Sequence, residues 1–200
     1  TGRTLIHPFD DDDVIAGQGT IGLEILNQLS SVDAVIVPVG GGGLISGIAF
    51  AIKSLKPSCK VYGVQAAGAP SMVEALKKGK REALSNAASL ADGIAVKMPG
   101  EKTFEYCRKY VDEIVTVTDD EIASAILTLM EQQKLVSEGA GATPVAALLA
   151  GKIDIKGKKT VCLISGGNID VTILSRVITR GLMMQSRLVE LEIEVFDRPK

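Results

Sequence analysis

Four consecutive glycines, Gly40 to Gly43, stand between the apolar run Ala34-Val35-Ile36-Val37-Pro38-Val39 and a helix-like segment that begins at Leu44. A continuous apolar run bounded by glycine suits a strand buried on both faces, the kind found in parallel sheets covered by helices. Four glycines cost backbone entropy and add no side-chain packing. Their use is then in backbone amides that something can approach closely. With no Cβ in the way, successive N–H groups can form a concave nest, and the following helix adds its positive N-terminal end. A phosphate is the natural occupant, and it needs no side-chain cation there. A plainer reading, a turn built only for tight strand-to-helix packing, also stands, although one or two glycines ordinarily serve such a turn.

Gly17-Gln18-Gly19-Thr20-Ile21-Gly22 fits the G-x-G-x-x-G pattern of dinucleotide-binding proteins, a weak signal alone. The next apolar run ends in glycines where that motif calls for an acidic residue on a ribose hydroxyl. The segment is read as the opening of a helix with close packing; a nicotinamide-cofactor oxidoreductase is the alternative. A second glycine turn, Ser165-Gly166-Gly167-Asn168-Ile169-Asp170, follows the apolar run Val161-Cys162-Leu163-Ile164. In a parallel sheet both turns open at the carboxyl edge, where ligands sit. Ser165 can then offer a hydroxyl to a ligand's far end or cap a helix.

Strands are expected over residues 4–7, 34–39, 60–65, 113–117 and 159–164. Helices are expected over 19–30, 44–55, 70–78, 103–110, 119–135, 141–150 and 171–179. The alternation predicts an α/β fold with a mainly parallel twisted sheet and helices on both faces. Thr118 and Glu121 form a capping box at the start of what should be the longest helix. The acidic run Asp10 to Asp13 is read as a solvated turn that favours a helix N-terminus. Residues 187–198 alternate apolar and charged side chains with the two-residue period of a half-buried strand; a dimer-edge or disordered extension is the alternative.

Pro38-Val39-Gly40-Gly41-Gly42-Gly43-Leu44, Ala91-Asp92-Gly93, Ser137-Glu138-Gly139-Ala140-Gly141 and Ser165-Gly166-Gly167-Asn168-Ile169-Asp170 resemble the pyridoxal-phosphate (PLP) threonine/serine dehydratases and serine racemases. His7-Pro8-Phe9-Asp10 and Ile15-Ala16-Gly17-Gln18-Gly19-Thr20 match the same enzymes, so that the motifs span residues 1–180 in the family's order. The resemblance implies the large domain of a tryptophan synthase β-like PLP fold and, closest of all, a catabolic-type threonine dehydratase. It implies that the amides of Gly40, Gly41, Gly42, Gly43 and Leu44 hold the cofactor phosphate. Ser165 would hydrogen-bond the pyridine nitrogen, with Gly166 beside it, and Gly93 and Glu138 would line the pocket. A hydroxyl at the ring nitrogen makes a weaker electron sink than a carboxylate does, which favours loss of a β-hydroxyl over a long-lived carbanion.

The Schiff-base lysine of these enzymes lies in an S-x-K-x-R-type motif well before the glycine loop, and no string here matches it. The catalytic base is therefore expected upstream, none of it in this chain, and the chain is expected to be inactive alone. Gln65 and Ser71 stand where serine racemases resembling this chain place carboxylates around a divalent cation, so no metal site of that kind is expected. The domain reading is a PLP-binding large domain over 1–179 that is incomplete at its N-terminus, a hinge over 180–186, and the first strand of an ACT-like regulatory domain over 187–200. Implied substrates are L-threonine and L-serine, giving a 2-oxo acid and ammonia, in a homodimer or homotetramer with a small-molecule effector at the ACT-like domain. Serine racemisation or another PLP β-replacement remains an alternative, as does a non-catalytic phosphate-binding module.

The 200 residues are 46% hydrophobic with a net charge of −2, which argues against nucleic acid or an anionic membrane as partner. No apolar run approaches the roughly 20 residues that span a bilayer. Cys59, Cys107 and Cys162 are isolated and without metal spacing, as in a reduced cytoplasmic protein.

Overall fold

Strand β1 (Ala34–Pro38) is buried along its whole length and lies inside a parallel sheet with β2 (Lys60–Ala66), β3 (Glu113–Val117) and β4 (Thr160–Cys162), in the order β3-β2-β1-β4. The computed structural model describes residue 2 and residues 6–194. Seven α-helices are described: α1 (Asp12–Gln28), α2 (Gly43–Leu55), α3 (Ser71–Lys78), α4 (Glu101–Tyr110), α5 (Asp119–Thr128), α6 (Gly139–Leu149) and α7 (Val171–Met184). Successive residues of β1 point to opposite faces of the sheet. Val35 and Val37 pack into one core with Ile45, Ile48 and Ile52 of α2 and Phe104 of α4. Ala34 and Ile36 pack into the other with Ile122 and Ile126 of α5 and Ala142 and Ala146 of α6. The expected sheet with helices on both faces is what forms.

Because β1 and β4 are parallel neighbours, with Ile36 opposite Cys162, their carboxyl ends come out side by side. Both glycine turns therefore open at the same edge of the sheet. This adjacency positions the site.

Several boundaries differ from the sequence expectation. Helix α1 starts at Asp12 rather than at residue 19, because Asp11 is its N-cap and accepts from the amides of Asp13 and Val14. Gly17, Gly19 and Gly22 thus lie inside a helix, not at the strand-to-helix turn that a dinucleotide motif requires. The capping box of α5 is present, but the helix gives way after Thr128 to a π-turn over Leu129–Gln133, ended by Lys134 in the left-handed region at φ 56°. The expected helix over 119–135 is therefore broken, and α1 is the longest helix among the described residues. Helix α6 carries Pro144, whose missing N–H would have bonded the Ala140 carbonyl. The Thr143 hydroxyl donates to that carbonyl at 2.9 Å and so replaces the lost bond.

The strand expected over 4–7 does not form at Ile6 and His7, and Thr4 and Leu5 lie outside the described residues. Strand β4 stops at Cys162, two residues short of the expected end. Helix α7 runs through residues 180–184, where a hinge was expected. Residues 188–194 form no strand, and 195–200 lie outside the described residues.

Candidate functional site

The two glycine turns face one cavity of about 650 Å³. Its wall includes Gly40, Gly41, Gly42, Gly43 and Leu44 from the first turn, Ser165 from the second, Gly93 from the loop before α4, and Glu138 at the head of α6. Gly166 does not line it. Glu138 donates its amide to the Gly166 carbonyl at 3.1 Å, and a Cβ on Gly166 would overlap the Glu138 carboxyl group. The residue that lets the second turn pack against α6 is Gly141, where a Cβ would lie 2.7 Å from the Gly166 carbonyl oxygen.

Among the described residues, no carbonyl or side chain of the chain accepts a hydrogen bond from the amides of Gly41, Gly42, Gly43 or Leu44. The first intrahelical bond of α2 is donated by Ser46, to the Gly42 carbonyl at 3.0 Å. Unpaired donors at a helix N-terminus want an anion or water, and this donor set fits the phosphate of the expected cofactor. Helix α2 has no side-chain cap to compete for them, because its N-cap is Gly42, at φ 100°.

The glycines themselves have a second reason that the sequence did not reveal. A Cβ on Gly40 would lie 3.0 Å from the Ile94 Cα, one on Gly42 would lie 2.7 Å from Met72 Cε and 2.8 Å from Thr103 Cβ, and one on Gly43 would lie 2.8 Å from Phe9 Cβ. A Cβ on Gly41 would overlap the Phe9 ring. Packing behind and beside the loop demands the missing side chains, while the amides in front stay free. The plain reading of the run, glycines for close packing, therefore holds, and the amides it leaves without a partner are compatible with the other.

Ser165 is exposed at the cavity wall and caps no helix. The cap of α7 is Asp170, whose carboxylate accepts from the Thr172 amide at 2.7 Å. This leaves the Ser165 hydroxyl available to a ligand. Glu138 and Glu24 are the charged side chains on the wall, and no lysine lines it among the described residues. Phe9, Gln18, Ile21 and Glu24 also face the cavity. Sequence reasoning missed them as site residues, although the motifs His7-Pro8-Phe9-Asp10 and Ile15-Ala16-Gly17-Gln18-Gly19-Thr20 contain Phe9 and Gln18.

Gln65 and Ser71 are both fully buried beside α3. The Gln65 carbonyl oxygen accepts from the amides of Met72 at 3.0 Å and Val73 at 2.9 Å, and so caps α3 from the end of β2, in place of Pro70, which cannot. Gln65 Nε2 and Ser71 Oγ are left without a protein partner. Among the described residues no group of three or more His, Cys, Asp or Glu is arranged to hold a metal ion, and no helix is long and apolar enough to cross a membrane. A separate groove of about 380 Å³ between α1 and α2, lined by Leu23, Phe50 and Leu55 among others, is mainly apolar and shares none of its lining residues with the cavity at the glycine turns.

Residues 1–167 match the family model described as "Pyridoxal-phosphate dependent enzyme". The L-threonine ammonia-lyase of Thermotoga maritima is 57% identical over 199 residues, which are 100% of this chain and 49% of that protein. The solved processed form of threonine deaminase isoform 2 from Solanum lycopersicum superposes with a TM-score of 0.83 at 41% identity, covering 90% of this chain and 53% of that one. The serine racemase of Dictyostelium discoideum superposes with a TM-score of 0.78 at 40% identity, covering 84% of this chain and 54% of that one. The chain spans about half the length of the curated relatives it matches.

Proposed function

Because this chain belongs to the family of pyridoxal-phosphate-dependent enzymes, we propose that it is the cofactor-cradling part of a threonine/serine ammonia-lyase. The observation that carries the reading is the row of unpartnered amides from Gly41 to Leu44 at the head of α2, sharing one cavity with the free Ser165 hydroxyl. Bound there, pyridoxal phosphate would supply an electron sink that acidifies the α-carbon of an amino acid and promotes departure of its β-hydroxyl.

The chain's own residues do the rest by binding and orientation. The amides of Gly41 to Leu44 hold the phosphate, helped by the positive end of α2. Ser165 offers the ring nitrogen a neutral hydrogen bond, which limits the sink and favours elimination. Gly93 and Glu138 line the same wall of the cavity. Phe9 forms an apolar wall of the same cavity and keeps water off that side. The lysine that joins the cofactor aldehyde is assigned to the part of the relatives' length that this chain does not span. The reading includes L-threonine and L-serine as substrates, a homo-oligomer, and an effector-binding ACT-like domain beyond α7.

The test is product analysis. The PLP-loaded protein that carries this chain should release a 2-oxo acid and ammonia from L-threonine and L-serine. Ser165→Ala should keep the cofactor and lose about tenfold in turnover, the worth of one hydrogen bond. D-serine without 2-oxo acid would favour a racemase, and phosphate-competitive binding without any turnover would favour a non-catalytic module.

A further inference from the structure

The glycine loop is held from behind by helix α4. The Gly41 carbonyl accepts from the Thr103 hydroxyl at 2.6 Å and from the Gly100 amide at 3.3 Å. Thr103 is fully buried, and neither it nor Gly100 lines the cavity. In a trans peptide unit the C=O of one residue and the N–H of the next point in opposite directions, and no cis peptide occurs among the described residues. With the Gly41 carbonyl tied to α4, the Gly42 N–H must point away from α4, on the side where Gly41 and Gly42 border the cavity.

We propose that Thr103 is a positioning residue for the phosphate cradle, its hydroxyl latching the Gly41–Gly42 peptide in the orientation that turns the Gly42 amide toward the ligand. This inference rests on the phosphate reading of the cavity. A latch is needed because the unit is flanked by glycines, which occupy either sign of φ with little steric penalty. Left alone, this peptide can rotate and present a carbonyl where the phosphate requires a donor. The following unit needs no such device, since α2 already holds the Gly42 carbonyl through the Ser46 amide.

Helix α4 is itself anchored by the strap that precedes α1. The Asp10 carboxylate accepts from the amides of Glu101 at 2.8 Å, Lys102 at 2.9 Å and Thr103 at 3.2 Å. The His7 imidazole accepts from the Asp10 amide at 2.9 Å and stacks edge-on against Phe9, whose ring covers Gly41. Strap, helix and loop therefore form one connected unit. Preorganisation of this kind raises affinity by lowering the ordering cost of binding.

The discriminating experiment compares the dissociation constants of PLP and of pyridoxal, the same ring without the phosphate, in the full-length protein and in Thr103→Val and Thr103→Ser. Thr103→Val should bind PLP about tenfold more weakly, the scale of one preorganised hydrogen bond, with pyridoxal unchanged and Thr103→Ser restoring PLP. Equal weakening of both ligands, or no weakening of PLP, would overturn the inference and leave Thr103 a core residue. Should Thr103→Val fail to fold, Asp10→Asn makes the same comparison by loosening α4 from its strap. If the wild type already fails to prefer PLP over pyridoxal, the phosphate reading falls and takes the latch with it. If the wild type prefers PLP and the variants keep that preference, the latch alone falls.

Discussion

Asp112, just before β3, joins two lysines and a strand amide through one carboxylate. Its carboxylate meets Lys53 Nζ at 2.6 Å and Lys60 Nζ at 2.8 Å, and accepts from the Val61 amide at 2.8 Å. Burial alone would push this carboxyl up, but the bonds from Lys53, Lys60 and Val61 outweigh it and hold the group below the usual carboxylate range. A depressed folded-state value means stability that is present above the unfolded value and lost as pH falls through the folded one. Asp112→Asn should therefore cost about 1–3 kcal/mol at neutral pH. The gap to wild type should close in strongly acidic solution, as urea denaturation at both pH values would show. Legibility at this scale was uneven. The glycines and Ser165 could be picked out by local pattern, because turn chemistry is local. Thr103 and Asp112 could not, since each matters only through a contact made by distant chain.

Helices α1 and α2 meet through glycine. A Cβ on Gly22 would lie 3.0 Å from the Ile48 carbonyl, and one on Gly47 would lie 2.6 Å from the Gly19 amide and overlap the Ile15 carbonyl. Backbone cannot yield as a flexible side chain can, so Gly47→Ala should destabilise by roughly 2–4 kcal/mol. Gly17 belongs to the same G-x-G-x-x-G string but has nothing within 4 Å. Gly17→Ala should stabilise by about 0.5–1 kcal/mol through helix propensity alone. Thermal melts of the two variants should thus move in opposite directions. Close packing was readable from the glycine spacing, but the start of α1 was not. Glycine reads as helix punctuation, and the stronger signal, Asp11 as cap, was masked by its acidic neighbours.

At the scale of the molecule, the sheet order puts both glycine turns on one edge and leaves the C-terminal segment outside the cores. Leu188, Val189, Leu191 and Ile193 are between 41% and 78% exposed, and residues 188–194 form no regular element. Replacing Leu188, Val189, Leu191 and Ile193 by Ser should change folding stability by no more than about 0.5 kcal/mol. It should also reduce self-association in sedimentation velocity, because exposed apolar side chains promote it. Arg187 should be kept, for it pairs with Glu131 at 2.8 Å. The alternating pattern of this tail was read as a strand, yet a strand needs a partner for its backbone groups, and none is provided among the described residues. Local pattern was enough to establish the α/β alternation, the parallel sheet and the family, because periodicity, caps and glycine turns are short-range properties written in adjacent residues. Only the tertiary structure decided that β4 lies beside β1, that Gln65 caps α3, and that Thr103 grips the loop. Those contacts depend on which surfaces meet once the cores are buried, and no short stretch of sequence contains that information.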